Sequence, residues 1–238
     1  AAQRSVERVS IDLIYARPDQ SLSDWEAELA RALSFGTSHL SLYQLTVEPG
    51  TRFATLERQG KFASLDDDEA ADLFALTRAM TAAAGLPAYE ISNHARPGEE
   101  SRHNLAYWRY RDYCGIGPGA HGRRNGKATT RHRKPENWLA AVAAQGNGIA
   151  EERGLSASEQ ASEALLMGLR LAEGVDLAAL SARFGIAQSA LVDDIRLAFY
   201  ETQGLCHRDG ARVTVTEAGM PLLDALLGEL VPAELVAA

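Results

Sequence analysis

The side chains best suited to chemistry in this 238-residue sequence gather in one stretch, Glu100 to Gly122, which reads ESRHNLAYWRYRDYCGIGPGAHG. In it, His103 is followed by Asn104, and then by Tyr107 and Trp108. An imidazole can ligate iron, and an adjacent amide can orient it through a hydrogen bond. Aromatic rings offer flat walls, and arginines pair with carboxylates in bidentate fashion. A metal ligand, a flat wall and cations for propionates together suit a porphyrin; the alternative is a solvated basic loop with a structural histidine.

The charge of the chain is distributed unevenly. Its net charge is −8, yet the segment from Arg96 to Lys134 holds ten arginines and lysines against three acids. Residues 156–238 hold five arginines, no lysine and twelve acids. Phosphate neutralisation dominates nucleic-acid affinity, so this acidic part would repel a duplex. We therefore expect no nucleic-acid partner, and a protein partner or intramolecular packing for the acidic part.

The glycine run Gly115 to Gly119 and the two cysteines each allow two interpretations. The run resembles a phosphate-binding loop, but it has Pro118 where an N–H donor would be useful and no terminal Gly-Lys-Ser/Thr. Glycine selected for close backbone approach is the better explanation. Cys114 and Cys206 are far apart and lack Cys-x-x-Cys spacing, so we expect no metal site from them. They are expected to be buried thiols in a reducing cytoplasm.

The elements that would position these residues begin with an α/β pattern. Strands are predicted over Val6–Tyr15, His39–Val47 and Ala88–Ser92, with a helix in each interval. The first helix has a candidate capping box at Ser23 and Glu26. This alternation predicts right-handed crossovers and parallel pairing. Three strands cannot close a barrel, so the fold class is the C-terminal part of a partial (β/α) barrel or a doubly wound sheet.

Two candidate site residues lie on these strands, where α/β folds bind ligands. Asp12 sits between apolar neighbours of the first strand; it could accept a hydrogen bond from a ribose hydroxyl, act as a base, or bond only to backbone amides. Gln44 lies towards the carboxyl end of the second strand and could line a pocket. The Glu48-Pro49-Gly50 sequence that follows is most simply a turn.

The second half of the chain is predicted to be mainly helical. The domain boundaries are placed at residues 1–125, a connecting segment at 126–155, and a C-terminal domain at 156–238. Helices are expected over Glu159–Leu171, Leu177–Phe184 and Ser189–Thr202, followed by a hairpin at Asp209-Gly210. Three helices and a hairpin predict a small helical, winged-helix-like domain.

Four motifs, in order, resemble one known family: SIDLIYARPDQSLSDW, HLSLYQLTVEPGT, YEISNHARPGEESRHNLAYW and GIGPGAHG. They are similar to those of HemW-like proteins, a branch of the oxygen-independent coproporphyrinogen III oxidase-like radical S-adenosylmethionine proteins. The resemblance implies a partial (β/α) radical S-adenosylmethionine barrel with a [4Fe–4S] cluster, followed by a helical domain. It implies a haem-chaperone function, with haem or porphyrin and a haem-receiving protein as partners. The alternative is a fragment of an oxygen-independent coproporphyrinogen III oxidase.

The resemblance also assigns roles to single residues. Asp12, and less specifically Gln44, would contact S-adenosylmethionine, while His103, Asn104 and Tyr107 form the H-N-x-x-Y motif implied to bind haem. No catalytic residue is assigned. The sequence departs from the family at Ser101, where a cysteine is common, and in the Ala16–Ser21 turn.

The family's Cys-x-x-x-Cys-x-x-Cys cluster motif is absent from this sequence. Three such thiolates would hold the cluster and leave one iron for S-adenosylmethionine. We therefore expect the cluster-binding half to precede residue 1 and expect no radical chemistry from this chain alone. No apolar run approaches the length of a membrane span, and no export signal is present, which predicts a cytoplasmic protein.

Overall fold

The computed structural model describes residues 2–236, which divide into two compact units after Ser101. Among these residues, no helix is both long enough and apolar enough to cross a bilayer. The first unit holds strands and helices in the following order: β1 (Ser10–Tyr15), α1 (Leu22–Ser34), β2 (His39–Gln44), α2 (Arg52–Arg58), α3 (Asp67–Ala83) and β3 (Asn93–Ala95).

The sheet of the first unit has the order β1-β2-β3. β1 and β2 are parallel, as predicted, with Asp12 opposite Ser41 and Tyr15 opposite Gln44. The prediction for the third strand was wrong in place and direction: Ala88–Ser92 is not a strand, and β3 runs antiparallel to β2. The cause is a tight reversal in which the backbone N–H of Tyr89 donates to the carbonyl of Asn93, so the chain turns back before it pairs.

The core of this unit lies between the sheet and the two long helices. Trp25 and Leu29 of α1 are fully buried. The Trp25 ring stacks on Tyr15 with centroids 5.1 Å apart, and its indole N–H donates to Thr77 of α3 at 2.8 Å. Burial of rings of this size dominates core energetics, so these contacts fix the sheet against the helices.

Two helix starts in this unit differ from the sequence prediction. The capping box of α1 is formed by Ser21 and Asp24, not by Ser23 and Glu26. The turn at Glu48-Pro49-Gly50 is present, but it leads directly into α2, which the sequence pattern did not indicate. Thr51 caps this helix by accepting from the N–H of Ala54.

The second unit begins at Arg102. Its elements are α4 (Arg102–Trp108), β4 (His121–Arg124), β5 (Lys127–Arg131), α5 (Pro135–Gln145), β6 (Ile149–Gly154), α6 (Ala157–Gly168), β7 (Val175–Asp176), α7 (Leu177–Phe184), α8 (Asp194–Thr202), β8 (Cys206–Asp209), β9 (Arg212–Val215), α9 (Leu223–Leu230) and α10 (Ala233–Val236).

An antiparallel sheet of order β4-β5-β6 precedes the helical part. Residues 126–155 were expected to connect two domains, yet they carry β5, α5 and β6. β5 lies between its two neighbours and pairs with both. The predicted boundary at 125 falls in the turn between β4 and β5 of this sheet, and the one at 155 falls directly after β6.

The helical part has the order expected of a winged helix: α6, β7, α7, α8 and then the hairpin β8-β9. α7 has the predicted bounds, whereas the predicted helix over Ser189–Thr202 is shorter, because α8 starts only after the Asp193 cap. The hairpin turn is confirmed, with Gly210 in the left-handed region at φ 57°. β7 adds to this hairpin beside β9.

Candidate functional site

The short helix α4 carries the H-N-x-x-Y motif. His103 and Tyr107 are four residues apart and so lie on one face of the helix, one turn from each other. His103 is exposed, while Asn104 and Tyr107 are half-buried. An exposed imidazole can reach a metal without displacing a neighbouring side chain. The structure thus brings the three predicted haem-binding residues together on one helix.

Aromatic rings extend from this helix to the next segment of the chain. The Tyr107 ring meets Trp108 edge-on at 5.3 Å and Tyr113 at 5.5 Å. Tyr113 in turn exchanges backbone hydrogen bonds with Arg123 of β4. The aromatic residues expected to supply a flat wall therefore form a connected cluster, in which the rings meet edge-on and present no single flat surface.

Arg123 is buried at the centre of this cluster, with 6% of its surface exposed. Its guanidinium carbon lies 3.4 Å from the Tyr110 ring centroid and 5.4 Å from that of Tyr113. One guanidinium nitrogen lies 3.6 Å from a carboxylate oxygen of Glu163, which also accepts from the Tyr110 hydroxyl at 2.5 Å. The pKa of the Tyr110 hydroxyl is raised, mainly by burial and secondly by its hydrogen bond to Glu163.

Arg109, a second arginine beside the rings, is also paired. It donates twice to Glu173, with both distances 2.7 Å. This hydrogen bonding lowers the pKa of Glu173. Arg109 and Arg123 thus already have carboxylate partners within the protein, which the sequence count of cations did not reveal. Arg102, by contrast, is exposed and makes no ion pair among the described residues.

The second unit also contains a cleft that is separate from α4. A cleft of about 520 Å³ in the second unit is lined by helices of the acidic part, through Leu166, Arg170, Asp224, Leu227, Gly228, Val231 and Ala233. Its lining includes no residue of α4. His103 itself is exposed on α4.

The glycine run packs as expected for close backbone approach. A Cβ atom added to Gly115 would lie 2.1 Å from the carbonyl oxygen of His121, so no side chain fits there. Gly117 and Gly119 have positive φ, at 95° and 72°. These glycines bring the run against the β4-β5 hairpin.

Asp12 and Gln44 lie in the first unit on neighbouring strands. Asp12 is exposed in the middle of β1 and accepts from the Ser10 hydroxyl at 3.3 Å. Gln44 is exposed as the last residue of β2. An exposed carboxylate and amide suit the hydroxyl and amino groups of a nucleoside, and their role toward S-adenosylmethionine stays a prediction.

The cysteines do not form a cluster site. Cys206 is buried, and burial raises the pKa of its thiol to about 11. Cys114 is exposed, so the expectation that both thiols are buried was wrong for this one. Across residues 2–236, no three histidine, cysteine or acidic side chains are grouped to hold a metal ion. These residues do not fit a [4Fe–4S] cluster.

Sequence reasoning missed the contacts among Arg123, Tyr110 and Glu163. Arg123 and Tyr110 are flanked only by arginines and glycine, so their burial left no periodic signal, and Glu163 is a partly exposed residue of α6. The alternation of β4, with Arg123 inward and Arg124 outward, would have been a clue had the strand been recognised.

Comparison with known proteins identifies the relatives of this chain. The HemN C-terminal domain family matches residues 155–222. Heme chaperone HemW of Bacillus subtilis is 32% identical over 234 residues, which is 97% of this chain and 62% of the relative. Heme chaperone HemW of Synechocystis is 40% identical over 183 residues, covering 75% of this chain and 44% of the relative.

A mouse protein, radical S-adenosyl methionine domain-containing protein 1, mitochondrial, is 40% identical over 176 residues, 71% of this chain and 40% of its own length. The chain therefore spans between 40% and 62% of the length of these relatives.

The fold comparison agrees with the predicted class. Coproporphyrinogen III oxidase (HemN) from Escherichia coli, a radical SAM enzyme, superposes with a TM-score of 0.74 at 17% identity, covering 95% of this chain and 55% of that chain. This confirms the α/β prediction of part of a radical S-adenosylmethionine fold followed by a winged-helix-like domain. The four motifs, the family match over residues 155–222 and these relatives agree: the chain is HemW-like, similar in sequence to heme chaperones named HemW and in fold to HemN.

Proposed function

We propose that this protein binds haem on the exposed face of α4 and passes it to a haem-receiving protein. The observation that carries the proposal is the exposure of His103 one helical turn from Tyr107, with the unpaired cation Arg102 beside it. The relatives named heme chaperone HemW support the same function. A surface site suits a carrier, because the ligand can leave it without a large rearrangement of the protein.

Each residue of the motif has a distinct part in this proposal. The imidazole of His103 would ligate the haem iron. Tyr107 provides an aromatic edge, and Asn104 orients the imidazole. Arg102 has no ion pair with a carboxylate of the described residues, and in this proposal its guanidinium pairs with a haem propionate.

The proposal also includes the two cofactors of the family, S-adenosylmethionine and the iron–sulfur cluster. Asp12, and less specifically Gln44, would contact S-adenosylmethionine by hydrogen bonds; Gln44 lies opposite Tyr15, three positions beyond Asp12 and on the other face of the sheet. The described residues provide no group of ligands for the cluster. The cytoplasmic location and the boundaries at 125 and 155 also stay predictions.

Titration with haemin, followed in the Soret band, tests the site. We expect His103→Ala to weaken binding at least tenfold and to change the Soret position, and Tyr107→Leu to weaken it less. His207→Ala is a matched control, because His207 is another exposed histidine of the same unit, on β8. Identical spectra and affinities for native protein and His103→Ala would remove His103 from the site.

The alternative is part of a coproporphyrinogen III oxidase, as the fold of the HemN structure allows. The two functions differ in their need for iron. A carrier that uses His103 should bind haemin more tightly than metal-free coproporphyrin III, and the difference should vanish in His103→Ala. Equal affinity for both ligands in the native protein would favour the oxidase alternative.

A further inference from the structure

The most exposed large apolar side chain of the basic segment is Ile116, with 86% of its surface in contact with solvent. It stands in the Gly115–Gly119 run, between two glycines and ahead of an exposed proline. No neighbouring side chain shields it. This exposure has no explanation in the packing of the second unit.

The run is fixed in place rather than hanging free. The guanidinium of Arg131 donates to the carbonyl of Gly115 at 2.5 Å. The N–H of Gly119 donates to the carbonyl of His132 at 2.9 Å, and the N–H of Arg131 to Ala120 at the same distance. Both ends of the run are therefore bonded to one short segment of the chain, residues 131–132, with Ile116 between them.

That segment belongs to the most cationic stretch of the sequence. Residues 121–134 read HGRRNGKATTRHRK, with six arginines and lysines, two histidines and no acid. Arg124, Arg133 and Lys134 are exposed and have no ion pair among the described residues. Lys134 also precedes the start of α5, where no side chain caps the free N–H groups.

The acids around this stretch are few. Glu152 of β6 is paired with Lys127 at 2.7 Å, and Glu163 is committed to Arg123. Glu151 lies opposite Thr130, and Glu136 lies in the first turn of α5. The surface formed by Ile116, Arg133 and Lys134, which we term the cationic tip, therefore carries unpaired positive charge on a chain whose net charge is −8; Arg124 lies at the far end of the β4-β5 hairpin.

We propose that the cationic tip is a peripheral contact for an anionic lipid surface. Exposed cations are attracted to anionic headgroups, and an aliphatic side chain that stands out among them can enter the boundary of the acyl chains. A protein partner is less well matched, because one protruding side chain flanked by glycines forms no extended apolar face. The remainder of the acidic chain would be repelled, which would orient the molecule with this tip toward the membrane.

Sedimentation with vesicles tests the proposal on the full chain without haem. We expect binding to vesicles of phosphatidylcholine mixed with phosphatidylglycerol, little binding to phosphatidylcholine alone, and weakening by salt. The double variant Arg133→Glu, Lys134→Glu should lower partitioning by at least tenfold, since each cation contributes roughly a fivefold attraction. Ile116→Ser should lower it severalfold without changing the salt dependence.

Ile195→Ser is the matched control, because Ile195 is 83% exposed but lies on α8 in the acidic part. It should leave partitioning unchanged. The proposal would be overturned if the protein sedimented with neither kind of vesicle. Equal effects of Ile116→Ser and Ile195→Ser would overturn it as well. Binding to polyglutamate beads that matches vesicle binding, with no effect of Ile116→Ser, would show a general anion surface and also overturn it.

Discussion

The guanidinium of Arg123 lies 3.4 Å from the centre of the Tyr110 ring, and both residues are almost completely buried. Tyr110 holds a positive φ of 53°, and its carbonyl accepts from Arg183 of α7 at 2.8 Å. The pair therefore connects β4 to α7 and, through Glu163, to α6. Tyr110, which lies outside the helices and strands, thus joins three elements of the second unit, β4, α6 and α7.

Replacing Arg123 by alanine should destabilise the second unit by about 2–4 kcal/mol, because the stacked ring loses its partner and Glu163 loses its cation. Urea unfolding measures the loss. Arg124→Ala is the control, since Arg124 is the next residue of β4 and is exposed; we expect a change within about 0.5 kcal/mol. Similar losses for both variants would show that the buried stack contributes no special stability.

Gly115→Ala should destabilise the same unit by about 1–3 kcal/mol, because the new methyl group meets the backbone of β4, which cannot move aside. The added Cβ would lie 2.1 Å from the His121 carbonyl oxygen. Gly154→Ala is the matched control, because Gly154 also has ordinary φ and has no atom within 4 Å of an added Cβ. An unchanged midpoint of urea unfolding for Gly115→Ala would mean that the Gly115–Gly119 run is not held against the β4-β5 hairpin.

Local chemistry made much of this fold predictable from the sequence. Alternation identified β1 and β2, and a helix was expected between β2 and the third strand, where α3 lies. The order of helices and hairpin was sufficient to predict a winged helix. Glycine spacing predicted the close approach at Gly115. Each of these depends on neighbours within a few residues.

The failures share a different cause, which is competition between distant segments. The reversal at Tyr89 sets the direction of β3, and a local pattern carries no information on strand direction. β4, β5 and β6 are short and rich in charged residues, so they lack an apolar alternation to detect. For the candidate site, the motif residues were found, but which arginines remain unpaired depends on Glu163 and Glu173, which are distant in sequence.

Buried His39 should make the first unit less stable in acid. Burial lowers the pKa of this histidine from 6.5, with opposing contributions from the nearby Asp12, which raises it, and Arg8, which lowers it. The unfolded chain then binds the proton more readily than the folded one. The stability contribution is fully present above about pH 6.5 and is lost as the pH falls toward the folded pKa.

Unfolding of native protein and His39→Gln over a range from about pH 8 to about pH 5 measures this slope. Glutamine can keep hydrogen bonds to Ser10 and Tyr89, which the ring now contacts at 2.8 and 2.9 Å. We expect the acid-side decline to be shallower in this variant. His207→Gln, at an exposed position, should retain the native slope. Parallel curves for native protein and His39→Gln would contradict the assignment.

The two thiols should differ sharply in reactivity. Cys206 is buried in β8, and its pKa is raised to about 11, so little of it is thiolate at neutral pH; Cys114 is exposed at the start of the glycine run. Since the thiolate is the nucleophile, a disulfide reagent should titrate one thiol per native chain and two after unfolding. Cys114→Ser should abolish the native reaction, whereas Cys206→Ser should leave it intact. If both thiols of the native protein reacted at the same rate, Cys206 would be as accessible to the reagent as Cys114, and the prediction would be wrong.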